Sequence, residues 1–461
     1  MIGKLHNHFS FIILLIGFII EEDCKKEGFF MNDELLNFIT KSPSVFHVID
    51  NMKKVLDENG FIELYESYQW DLQEGHSYYV TRNNSSIIAF KLPKGFKGIN
   101  IVASHSDSPT FKLKENNKIV VEDKYVKLNV EGYGGMIMSS WFDRPLSVAG
   151  RMIVKENDEF ISKLVNVDKD LLMIPNVAIH MNRDVNTGYK YNAQVDLLPL
   201  YSLNKDDDIM ETICSFNNIN KDDVVGHDLY LYNRTPGCIW GSNDEFISSG
   251  KLDDLQCAYT SLQSLINSNG SNASMMCVFD NEEVGSGTKQ GAAGTMLSDT
   301  INRISESIFD NKEAMYRMIS NSFMVSSDNA HAIHPNHPEL ADPTNRPYLN
   351  EGIVIKYHAG AKYTTDAISK AIFSDICKRV GIPTQSFTNR SDKLGGSTLG
   401  NIANSQISLN TVDIGLSQLA MHSSYETAGS KDSEYLCSAL TAFYNTTITQ
   451  INDLTYKIDI G

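Results

Sequence analysis

The chain has 461 residues, 42% hydrophobic, 21% charged and 10% aromatic, a globular composition that excludes fibrous, low-complexity and membrane-embedded classes. Forty Lys and Arg against fifty-seven Asp and Glu leave a net charge of -17, which repels nucleic-acid phosphates and anionic lipid headgroups, so neither nucleic acid nor membrane is expected as a partner. At about 100–200 residues per domain the length allows two or three domains.

Along the chain, Lys4 and two His precede an apolar run from Phe9 to Ile20, too short for the about 20 residues of a bilayer span. Glu21, Glu22 and Asp23 follow where a signal peptide would carry small residues, so residues 1–30 are read as an extension outside the fold, which begins near Met31. Leu35, Leu36 and Ile39, then Val45, Val48, Ile49, Met52, Val55 and Leu56 closed by Gly60, predict two opening helices. Four apolar runs predict buried strands, each delivering polar residues at its end: Ile99 to Ala103 before Ser104-His105, Met275 to Phe279 before Asp280, Phe323 to Val325 before Asp328, and Val412 to Ile414 before Gly415. Between them, Leu255 to Ile266, Ala367 to Ile376 and Leu436 to Phe443 have helical periods. The alternation argues an α/β domain with a mainly parallel sheet flanked by helices, built from residues 31–111 and 246–461. Residues 112–245 read as an inserted β-rich domain, with strand-like pieces and the Gly132-Tyr133-Gly134-Gly135 turn.

In an open α/β sheet, ligands bind beyond the carboxyl ends of the strands. The predicted strands bring His105, Asp107, Glu282, Glu283 and Asp328 to that edge, Asp253 opens the helix after the insertion, and His422 follows the last strand. This mixed nitrogen and oxygen set suits a pair of zinc ions, or manganese or cobalt. Each piece also has a plainer reading: a hydrogen-bonded turn for His-x-Asp, a helix cap for Asp253-Asp254, a solvated loop for Asn281-Glu282-Glu283. Seven scattered cysteines with no CxxC pair point to reduced thiols and a cytoplasmic protein.

The strings SHSDSP at Ser104, GKLDDL at Gly250, FDNEEVGS at Phe279, SSDNAHAIHPNHPE at Ser326 and GLSQLAMHSSYE at Gly415 resemble the five motifs of the M18 family, the aspartyl aminopeptidases. SSWFDRPLSVAGR from Ser139 and NRSDKLGGSTLGN from Asn389 match as well, so the resemblance runs in order from Met31 to about Tyr444. It implies a zinc-peptidase-like fold whose insertion serves as a dimerisation and lid domain, in a tetrahedral homododecamer. It also implies His105 and Asp328 on one metal ion, Asp253 bridging, Glu283 and His422 on the second, Asp107 orienting His105, and Glu282 as general base to a metal-bridging hydroxide. The family often has Asn where this chain has Asp254, which adds a charge beside the bridging residue.

The same resemblance implies that His180 reaches a neighbouring subunit's active site and that Lys356 pairs with the acidic side chain of the substrate. His331 and His334 are expected to line the pocket and His337 to face solvent. Lys393 stands where an apolar residue is expected, either tuning the pocket or facing water. The expected activity is removal of N-terminal Asp or Glu from peptides. The alternatives are an aminopeptidase of broad or neutral preference and, from another class, a non-catalytic assembly protein with structural metals, against which a non-ligand base at Glu282 argues.

Overall fold

The computed structural model of the chain describes residues 31–309 and 311–460, so the reading of residues 1–30 as an extension lies outside the described residues. Residues 31–41 are helical, and helix Val45–Glu58 buries Phe46, Val48, Ile49, Met52 and Leu56 along one stripe. A nine-stranded sheet follows the order Ile62–Leu64, His76–Arg82, Ser86–Leu92, Ala273–Phe279, Ile99–His105, Phe323–Ser327, Asn410–Gly415, Ile353–Tyr357, Thr384–Thr388. The four strands predicted from apolar runs are its contiguous parallel centre, and all are buried on both faces apart from the first residue of the last. Burial on both faces explains why they read as continuous apolar runs with no alternation. Outside this centre the sheet is mixed, because Ser86–Leu92 and Ile353–Tyr357 run antiparallel to their inner neighbours.

Helix Leu252–Asn267 packs across the sheet against helix Asp432–Tyr444 and is buried on nearly every side. Its polar residues survive burial by bonding along the helix: Thr260, Ser261 and Ser264 donate to the carbonyls of Gln256, Cys257 and Thr260 at 2.9, 2.7 and 2.7 Å. Leu255, Leu262 and Leu265 are fully buried, each burial contributing about 1.5–3 kcal/mol. This anchors the helix whose first turn carries Asp253.

Between Thr110 and Asn233 the chain builds a second, antiparallel sheet in the order Glu159–Asn166, Leu146–Glu156, Val224–Asn233, Thr110–Val121, Tyr125–Tyr133, Leu200–Ser202. It has its own apolar cluster, including Phe111, Leu128, Trp141, Val148 and Leu229. A five-stranded sheet joins Phe246–Ser249, Glu426–Gly429, Ser417–Leu419 and Ala330–His331 with Cys238–Trp240 at its edge. The hairpin Thr446–Asn452 and Thr455–Ile460 extends beyond the last helix expected from the sequence. No helix among the described residues is long and apolar enough to cross a membrane.

Candidate active site

All four central strands end at one edge, and that edge carries the candidate residues. Strand Ile99–His105 delivers His105 as its last residue and Asp107 two residues on. After Ala273–Phe279 the backbone is left-handed at Asn281 (φ 61°), turns through the single 3-10 turn Glu282–Val284, and is left-handed again at Gly285 (φ 95°) and Ser286 (φ 59°). The Asp107 carboxylate accepts the backbone N–H groups of Glu282 and Glu283 at 3.1 and 3.2 Å and the Tyr133 hydroxyl at 2.6 Å. It thus aims two consecutive glutamates at one centre. Gly134 lies against this turn at φ 77°, where an added Cβ would stand 3.1 Å from the Glu283 Cβ. A glycine is therefore required for the second sheet to approach so closely.

Asp253 lies between two imidazoles. Its Oδ1 is 3.7 Å from His105 Nε2 and its Oδ2 is 3.4 Å from His422 Nε2. On the first side Asp328 Oδ1 is 4.0 Å from the same His105 nitrogen, and on the second Glu283 Oε2 is 3.3 Å from His422 Nε2. Two groups with ligand atoms within 4.8 Å of one another result: His105, Asp253, Asp254 and Asp328, and Asp253, Glu283 and His422. A third, His105 with Glu282 and Glu283, places Glu282 beside both. The far ring nitrogens are held: His422 Nδ1 by the Gly135 carbonyl at 2.8 Å, and His105 Nδ1 by the Asp107 carbonyl at 3.0 Å with the carboxylate at 3.4 Å. Asp107 thus contacts His105 more closely through its backbone than through its side chain, whose oxygens hold the glutamate turn.

The electrostatics call for cations. Burial, and then the neighbouring carboxylates, push Glu282 up to about 8 and Glu283 and Asp254 well above the carboxylate range. Burial opposes charge on His105 and His422, yet the nearby carboxylates of Asp107 and Asp253 raise the first well above its ordinary value, and those of Asp253 and Glu283 raise the second to about 10. Buried carboxylates in this number are costly unless a positive charge joins them. Asp253 Oδ1, Asp254 Oδ1 and Glu283 Oε1 are buried with no hydrogen-bond partner. Unpartnered carboxylate oxygens facing imidazole nitrogens form a donor set that fits divalent ions.

Around this centre the other expected residues separate. Lys356 is 3% exposed, donates to the Asn329 carbonyl at 2.8 Å and lies 3.8 Å from Asp328 Oδ2. His331 and His334 line a groove with Phe387, Arg390 and Lys393, and His337 is exposed at its rim. His180 lies on an exposed stretch of the second sheet's long connection and belongs to none of the ligand groups. Asp254, expected only as an added charge, also accepts the His105 backbone N–H at 3.1 Å. Sequence reasoning missed Glu426, Tyr133 and Gly135. Glu426 was present in the last motif string, but nothing in its spacing distinguishes a carboxylate that holds backbone amides from one on a surface.

The model of the family described as Aminopeptidase I zinc metalloprotease (M18) matches residues 38–444. A probable M18 family aminopeptidase 2 of Clostridium acetobutylicum is 47% identical, covering 89% of this chain and 98% of its own length. An aspartyl aminopeptidase of Dictyostelium discoideum is 37% identical, over 87% of this chain and 93% of its own. A solved structure titled as the S. cerevesiae mApe1 dodecamer superposes with a TM-score of 0.80 at 26% identity, covering 90% of this chain and 96% of that one. Fold, site and likenesses together define a metallo-aminopeptidase. The chain belongs to the M18 family of zinc aminopeptidases.

Proposed function

We propose that this chain removes N-terminal Asp or Glu from peptides at a centre for two divalent ions, held by His105 and Asp328 on one side, Glu283 and His422 on the other, and Asp253 between them. The observation that carries the reading is the Asp253 carboxylate, which offers one oxygen to each histidine, at 3.7 and 3.4 Å. Two divalent ions held by these residues, zinc by family and manganese or cobalt by donor chemistry, would acidify the attacking water and polarise the scissile carbonyl. Glu282, beside both halves and outside the ligand set, takes the proton of the attacking water and passes it to the leaving amine. Asp107 holds the Glu282 turn and the His105 ring. Lys356 gives the acidic substrate side chain its counter-charge, supported by a buried ammonium that Asp328, against the opposing effect of burial, pushes up to about 12. His331 and His334 line the substrate groove.

Residues 112–245 serve in this reading as the dimerisation and lid domain of a tetrahedral homododecamer, with His180 donating to the oxyanion of a neighbouring subunit's substrate. Its exposed position and the dodecamer named for a structural relative support this. Cytoplasmic residence is supported by the six described cysteines, all unpaired. Broad or neutral preference is the second reading, favoured by the partial occupation of Lys356 by Asp328 and the Asn329 carbonyl. A catalytically silent assembly protein comes third. The test of mechanism is Glu282→Gln: turnover of Asp and Glu anilides should fall about 100-fold or more with divalent-ion content and assembly unchanged. Persistent turnover would contradict it.

A further inference from the structure

We infer that Glu426 is a positioning residue for the His422 half of the centre, fixing the bridging carboxylate and the histidine relative to each other; this rests on the two-ion reading above. Its carboxylate is 1% exposed and belongs to none of the ligand clusters. Instead Oε2 accepts the backbone N–H of Asp253 at 3.0 Å and Oε1 accepts that of His422 at 2.7 Å. One rigid group thereby ties together two ligands that are 169 positions apart in the chain. His422 needs such a tie, since it sits in the left-handed region at φ 66°, as does Ala420 at φ 55°. Non-glycine residues keep that conformation only where their surroundings over-determine it. Here the Glu426 carboxylate holds the His422 N–H, the Gly135 carbonyl holds its ring, and the Ile137 N–H donates to its carbonyl at 2.9 Å.

The chemistry of the residue argues for position rather than filling. A buried carboxylate is costly, and glutamine would occupy the same volume without a charge. Glutamine, however, has one acceptor and one donor, and its NH2 would face a backbone N–H. Only a carboxylate accepts from both amides at once. The tie continues inward: Gln418 Nε2 donates to Glu426 Oε1 at 3.4 Å, Gln418 Oε1 accepts from Asn329 Nδ2 at 2.7 Å, and the Asn329 carbonyl accepts from Lys356. The backbones of Asp253 and His422 and the buried ammonium therefore share one hydrogen-bonded frame.

The test is calorimetric titration of chelator-stripped full-length protein with Zn2+, comparing wild type with Glu426→Gln. The expected result is two binding events in wild type, one of them weakened about 10- to 100-fold in the variant while the other, which shares only Asp253 with it, is weakened less, with turnover recovered at raised Zn2+. A residue that merely supports the fold would weaken both events together or neither. Should Glu426→Gln fail to fold, Glu426→Asp, one methylene shorter, reaches only one of the two amides and is read in the same way. Two undiminished events in the folded variant, or equal weakening of both, overturn the inference alone. Fewer than two events in wild type overturn the two-ion reading and the inference with it.

Discussion

Asp253 offers one carboxylate oxygen to each of two imidazoles, while Glu283 beside it is driven toward protonation by burial and by the Asp253 charge. Lys356 is the sharpest test of specificity at this scale, because it is the buried cation closest to the first-side ligand Asp328. In Lys356→Met, kcat/KM for an Asp anilide should fall about 10- to 100-fold relative to a Leu anilide, the worth of a charge-assisted hydrogen bond of about 1.5–3 kcal/mol. An unchanged ratio would assign the lysine to holding Asp328 alone. His105, Asp253, Glu282, Glu283, Asp328 and His422 were all legible in the sequence, because each follows or opens an apolar element at a sheet edge. Glu426 and Tyr133 were not. Their partners are backbone amides and a carboxylate brought from distant strands, and no local spacing encodes such contacts.

At the scale of elements, the four central strands announced themselves because burial on both faces leaves an unbroken apolar signature. The outer strands were less legible. His76–Arg82 and Thr384–Thr388 are partly exposed and carry polar residues, and the terminal hairpin Thr446–Ile460 is rich in threonine and polar side chains. Helix Val45–Glu58 carries a pH-dependent element of its own. The hydroxyl of its N-cap Ser44 bonds His47 Nδ1 at 2.8 Å instead of capping the helix, and burial, reinforced by the Lys251 charge, lowers His47 to about 4. Asp50 opposes this shift and Lys54 adds to it. An unfolded histidine titrates near its ordinary value of about 6.5, so the unfolded chain binds the proton first. His47 therefore contributes stability that is full above about 6.5 and is lost as pH falls toward about 4. Thermal melts of wild type and His47→Gln should diverge across that window, the variant losing less on acidification. Parallel curves would show that His47 titrates normally in the folded chain.

Across the whole molecule, the second sheet reaches into the site as well as standing beside it. Tyr133 contacts Asp107, Gly135 contacts His422, and Ser140 accepts the Ser424 N–H at 2.8 Å. Separate apolar clusters for the two sheets explain why composition and strand pattern pointed to an insertion, while the contacts between them, made by a glycine turn and a tyrosine hydroxyl, left no periodic trace. The proposed reach of His180 into another subunit extends the same logic, since it lies on an exposed stretch of that sheet's connection. Whether a pair of divalent ions at Asp253 drives removal of acidic N-terminal residues is decided by counting bound metal per subunit and assaying Asp-, Glu- and Leu-anilides before and after chelation. Two ions per subunit, preference for Asp and Glu, loss of turnover on chelation and recovery on Zn2+ addition are expected. Full turnover by protein measured to be metal-free would contradict this expectation.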